Sequence, residues 1–210
     1  MRRSKFFKRP PPMIEPASWP HTGAILAGGG STRIGSPKHA LSLPEGSTMI
    51  EAVATALGAV CERLVILGGT DAMPALPHVA DLRPGCGPLG GIEALLASNI
   101  DTQYLVCPCD LPRVTSELFN ALLRPSQATA TVFRLEGSEL IEPLPARICA
   151  VALDATRQLL DEGRRAVHQL MEVIDVEEVS APNAWSKLLM NVNTPQEFAA
   201  LIQGQRTNSS

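Results

Sequence analysis

AILAGGGSTRIGSPKHAL, residues 24–41, runs from a short apolar segment into three consecutive glycines, then Arg33, Gly35 and Lys38. Gly23 to Ala27 reads as a buried strand that empties into a glycine-rich loop. Glycines let backbone N–H groups approach an anion, and two cations offset its charge. A dinucleotide fingerprint needs a third glycine where helix and strand pack, and Arg33 stands in that place. A Walker A loop needs Lys-Ser/Thr directly after its second glycine. Gly30 and Gly35 have the spacing, but Ser36 and Pro37 follow. Both familiar loops are excluded. Polyphosphate binding by a loop of another kind remains, beside the plainer reading of a solvated turn with surface cations.

The 210 residues suffice for one well-filled α/β domain, and two would be cramped. A chain 45% hydrophobic and 19% charged builds a globular core. The net charge of −3 is uneven: Arg2, Arg3, Lys5, Lys8 and Arg9 crowd the start and leave the remainder at −8. An acidic body with 4% aromatics excludes the usual nucleic-acid binder. The basic start lacks the apolar stretch of a signal peptide, and no run approaches a membrane span. Pro10, Pro11 and Pro12 end it, so residues 1–20 read as a disordered leader, 21–204 as the domain and 205–210 as a polar tail. Five cysteines are an odd number, three of them in apolar runs, as in a reduced cytoplasm. Cys107 and Cys109 have no answering pair, which makes a zinc site improbable.

Outward from the loop, strands and helices alternate. Helical spacing covers 49–60, 89–97, 115–123, 151–161, 165–172 and 195–203. Strands are expected at 64–67, 78–80, 104–107, 128–135, 173–176 and 188–191, with proline-broken extended pieces at 140–148. This alternation predicts a mostly parallel twisted sheet with helices on both faces. Asp110 follows a buried strand, so it belongs at the carboxyl end of the sheet, where open α/β folds bind ligands. Mg²⁺ takes one or two carboxylates plus substrate phosphates, which suits a lone aspartate there. Its plainer role is a turn or helix cap, as it is for Asp81 in a Pro/Gly loop. Asn191 and Asn193 have the alternative of capping the helix that opens at Pro195. Arg164 and Arg165 stand at a helix start, an unfavourable end for cations, which favours an anionic neighbour. Trp19 and Trp185 are assigned to packing.

Five blocks carry a family resemblance: LAGGGSTRIGSPKHAL, DLRPGCGPLGG (81–91), CPCDLP (107–112), EGRRAVHQLME, and NVNTPQEF (191–198). Together, over about Gly23 to Leu201, they resemble the molybdenum cofactor guanylyltransferases, a group of nucleotidyltransferases. The resemblance implies a single Rossmann-like nucleotidyltransferase domain in the cytoplasm. It also implies Mg²⁺-dependent transfer of GMP from GTP to the phosphate of molybdopterin, releasing pyrophosphate. By the same resemblance Leu26, Ala27, Gly28 and Gly29 hold the guanine and ribose side. Gly28 to Gly35, Gly30 included, line the triphosphate with Arg33, and Lys38 binds its phosphates. Asp81 joins the nucleotide site, Asp110 is the magnesium ligand, and Arg165, Asn191 and Asn193 lie on the acceptor side. Molybdoenzyme-maturation proteins are implied partners; nucleic acid and membrane are not. Ile34 replaces a commoner methionine, Glu142 stands where many relatives carry His or Gln, and the basic leader is outside the family pattern. Alternatives in the same class are a molybdopterin cytidylyltransferase or a sugar-phosphate nucleotidyltransferase. Relatives that use CTP tend to carry Leu-Ala-Ala-Gly, so Gly28-Gly29 favours GTP. From another class, the alternative is a non-catalytic protein that carries nucleotide or cofactor.

Overall fold

The computed structural model describes residues 22–28, 40–69 and 72–206. The proposed leader, Trp19 and most of the glycine-rich loop, with Gly29, Gly30, Arg33, Gly35 and Lys38, lie outside the described residues. Seven strands form one sheet: β1 (Thr22–Leu26), β2 (Arg63–Leu67), β3 (His78–Val79), β4 (Gln103–Pro108), β5 (Ala130–Leu135), β6 (Ile141–Cys149) and β7 (Val176–Ala181). Among the described residues six α-helices connect and cover them: α1 (Met49–Gly58), α2 (Gly87–Ala97), α3 (Ser116–Leu122), α4 (Leu153–Asp161), α5 (Val167–Met171) and α6 (Pro195–Arg206). The strand order is β3-β2-β1-β4-β6-β5-β7. Every neighbouring pair is parallel except the two that β6 makes, with β4 and with β5.

Period-two alternation sends successive strand residues to opposite faces. Ala24, Leu26, Val65, Leu67, Tyr104 and Val106 pack under α2, α4 and α5. Ile25, Ile66, Leu105, Cys107 and Phe133 pack under α1 and α3. Trp185 closes that second face, meeting the Phe133 ring edge-on at a centroid distance of 5.7 Å. Local chemistry sets the helix starts. Thr48 and Glu51 form a capping box at α1, with the Thr48 N–H donating to Glu51 Oε2 at 2.7 Å. Thr115 caps α3 by accepting from the Leu118 N–H.

Four expectations change. The stretch expected as broken pieces at 140–148 forms one continuous strand, Ile141–Cys149. Its prolines fit because two steps along β5 (Thr131 to Phe133) answer five along β6 (Arg147 to Glu142), so Pro143 and Pro145 bulge out of that ladder. The strand expected at 173–176 is β7, and it starts only at Val176, where pairing with β5 begins at Ala130. Residues 188–191 are not a strand. They follow a 3₁₀ turn (Asn183–Lys187), and Leu189 and Val192 are buried while Met190 is half exposed. The last helix, expected to end at 203, runs to Arg206. Among the described residues no helix is long and apolar enough to cross a membrane.

Candidate active site at the strand switch point

The chain adds β2 and β3 to one side of β1, then returns to place β4 on the other side. Connections therefore diverge between β1 and β4, leaving a crevice at their carboxyl ends, the general ligand site of open α/β sheets. Two hydrogen bonds extend the sheet just past the strands: the Ala27 N–H donates to Leu67 O at 2.9 Å, and the Cys109 N–H to Leu26 O at 3.0 Å. Leu26 is buried and Gly28 exposed.

Beneath Gly28 lies a second glycine loop. Gly68 has φ +80°, and a Cβ there would sit 2.5 Å from Gly28 Cα and 2.7 Å from Gly28 N. Only glycine fits that contact. The sequence marks Gly68 as a strand stop and gives it no part in the site. The signal it carried was a glycine pair directly after a buried strand neighbouring the loop-bearing one.

Asp110 lies two residues beyond β4. Its carbonyl accepts from the Val192 N–H at 2.9 Å, which brings the Asn191–Asn193 segment to the same edge. Val192 is the anchor: it is buried with Leu43, Met49 and Leu201, while Asn191 and Asn193 are exposed on either side. The helix that follows is capped by Thr194, whose hydroxyl accepts from the Glu197 N–H at 3.1 Å. The Glu197 carboxylate accepts in return from the Thr194 N–H. Burial, with the Asp110 charge next in effect, pushes the Cys107 thiol well above its ordinary value.

Asp81 approaches from β3. Its Oδ1 is buried and accepts no hydrogen bond among the described residues. It lies 3.8 Å from where a Cβ on Gly91 would stand, and that same Cβ would meet Leu26 at 3.2 Å. The missing side chain at Gly91 thus lets α2 close on β1 and Asp81 together. Arg165 reaches this region from the other side, its Nη1 donating to Gly85 O at 3.1 Å. So the structure sets Arg165 against the loop that follows Asp81. Arg164 pairs with Glu172 at 2.8 Å. Glu142, on the strand beside β4, is half-buried, and burial raises its carboxyl above the usual range. Asp81, Asp110, Leu26, Ala27, Gly28 and the Asn191–Asn193 segment therefore share one edge of the sheet.

Among the described residues no three His, Cys, Asp or Glu side chains are grouped as a metal cage. A lone carboxylate at the carboxyl end of the sheet is of the kind that suits Mg²⁺, which keeps waters and binds through one or two carboxylates plus substrate.

Residues 23–178 match the family described as MobA-like NTP transferase domain. A molybdenum cofactor guanylyltransferase from Xanthomonas euvesicatoria pv. vesicatoria is 30% identical over 186 residues, covering 87% of this chain and 95% of that protein. Among solved structures, molybdopterin-guanine dinucleotide biosynthesis protein A from Archaeoglobus fulgidus superposes with TM-score 0.72 at 23% identity, covering 89% of this chain and 99% of the other. The 2-C-methyl-D-erythritol 4-phosphate cytidylyltransferase of Thermus thermophilus shares the fold at TM-score 0.66 and 18% identity, over 87% and 98% of the two chains.

Proposed function

Because the chain belongs to the MobA-like NTP transferase family, and is a nucleotidyltransferase of the molybdenum cofactor guanylyltransferase type, we propose that it transfers GMP from GTP to the phosphate of molybdopterin. An oxygen of the acceptor phosphate bonds to the α-phosphorus of GTP, the bond from that phosphorus to the bridging oxygen breaks, and pyrophosphate leaves. A phosphate nucleophile is already ionised at neutral pH, so no general base is needed, and catalysis reduces to positioning and charge stabilisation.

The observation that carries the reading is the hydrogen bonding that ties Cys109 to Leu26 and Val192 to Asp110. It holds Asp110 at the divergence of β1 and β4, between Gly28 and the Asn191–Asn193 segment. Asp110 would hold Mg²⁺, which when bound supplies positive charge to the phosphates. Arg33 and Lys38 would bind the triphosphate along Gly28 to Gly35. Asp81 would accept from the guanine N1–H and 2-amino group, two adjacent donors that fit one carboxylate and that cytosine lacks. Arg165, Asn191 and Asn193 would face the acceptor. All five cysteines are free thiols, which suits the cytoplasm.

Pyrophosphate release, measured with molybdopterin and each nucleoside triphosphate in turn, tests the assignment. Release with GTP, well above CTP and abolished by a chelator, is expected. Equal or reversed use of CTP would overturn the guanylyl assignment.

A further inference from the structure

α2 reads GPLGGIEALLA, an apolar helix with a single charge, Glu93. That side chain is 2% exposed. A carboxylate so placed costs desolvation energy and is retained only with partners. It has two. Arg83 Nε stands 3.1 Å from Glu93 Oε2, and Arg157 Nε stands 3.7 Å from Oε1. Arg83 also pairs through Nη1 with Asp161 at the end of α4. Arg83 belongs to the loop between Asp81 and α2, so the buried carboxylate grips that loop from beneath. Glycines make the grip possible. A Cβ on Gly90 would come within 2.8 Å of Cys86 Cβ and 3.5 Å of Arg83 O, so the loop lies flat on the helix only because Gly90 is bare.

The geometry points to Glu93 as a positioning residue for nucleotide recognition, acting through Arg83 to fix the loop that carries Asp81. This rests on the reading of Asp81 as a nucleotide contact. Glu93 touches no substrate itself. Arg83 and the carboxylate lock one end of the loop, while Arg165 holds the Gly85 carbonyl at the other. Apolar packing between α2 and the sheet would stabilise the helix without any charge. The ion pairs add direction, because Arg83 faces Glu93 through Nε and Asp161 through Nη1 at once, which fixes where the loop lies.

The test compares the full chain with Glu93→Gln, Arg83→Met and the double variant Arg83→Met/Glu93→Met. Glu93→Gln should raise the KM for GTP about 3- to 30-fold, with kcat and the acceptor KM nearly unchanged. Adding Asp81→Asn to Glu93→Gln should give little further loss, since one acts through the other. The double methionine variant should regain melting temperature, because an apolar side chain replaces the buried charge of Glu93, yet keep its raised KM. Recovery of both would show a merely stabilising role and overturn the proposal, as would an unchanged KM in Glu93→Gln. Hydrogen exchange of amides 82–87 should quicken in Glu93→Gln, and unaltered protection would likewise overturn it. A wild-type chain that binds no GTP in the same assay would instead sink the nucleotide reading, and this role with it.

Discussion

At Asp110 the side chain can be tested apart from the main chain. The carbonyl receives the Val192 N–H, and Asp110→Asn leaves that bond untouched while removing the charge. The variant should fold with near-native circular dichroism and lose about 10²- to 10³-fold in magnesium-dependent pyrophosphate release. Full activity would return Asp110 to the role of a turn residue. Gly68 is the opposite case, a residue whose duty is to have no side chain. Gly68→Ala forces a Cβ into the Gly28 backbone at φ +80°. It should cost about 1–3 kcal/mol by chemical denaturation, and it should weaken nucleotide binding because Gly28 must shift. The placement of Asp110 and Gly28 just past the ends of buried strands was legible from the strand-loop pattern. Gly68 was not, since its close approach to Gly28 exists only once β1 and β2 lie side by side.

Among the elements, the helix starts obey local rules and can be tested one at a time. Thr115→Ala removes the acceptor for the Leu118 N–H and should destabilise the protein by about 1 kcal/mol, read as a shift in denaturation midpoint. At Gly58, the last residue of α1, an added Cβ would have only Leu64 Cδ1 for a neighbour among the described residues, at 3.7 Å. Gly58→Ala should therefore stabilise by about 0.5–1 kcal/mol, because the unfolded chain loses freedom while nothing in the fold is crowded. The start at Thr115 was readable from the sequence, but the stop at Gly58 was not, since helical spacing of apolar residues continues to Val60. The strand at Ile141–Cys149 was harder, since its prolines argue against a sheet until the unequal spacing against β5 is known. The apolar run at 188–191 misled for another reason. Its leucines are anchors of a turn, and a short apolar run has the same pattern whether it pairs or plugs.

Across the whole molecule, burial of thiols ties stability to alkaline pH. Burial pushes the Cys61 thiol up to about 12, with the Asp101 charge adding to it, and raises Cys107 and Cys149 as well. A thiol raised in the fold binds its proton more tightly there than in the unfolded chain. Its contribution is fully present below the unfolded value near 9 and is lost as pH rises through the folded value. Melting temperature should thus fall between about pH 9 and 12, and Cys61→Ala should make that decline shallower than in wild type. An identical slope in the variant would show that Cys61 does not carry it.

The sequence by itself determined the alternation of strand and helix, the glycine-rich run directly after the first buried strand and the position of Asp110 after another. Each depends on neighbours within a few residues: hydrophobic period, glycine at a turn, a carboxylate following an apolar run. Only the tertiary structure decided what those pieces meet. Val192 delivers the asparagines to Asp110, Gly68 underlies Gly28, and Arg165 lies on the Gly85 turn. Glu93 looks like an ordinary helix glutamate until α2 is buried against the sheet. Burial and long-range pairing follow from the order β3-β2-β1-β4-β6-β5-β7, and strand order is a property of the packed sheet that no local pattern encodes.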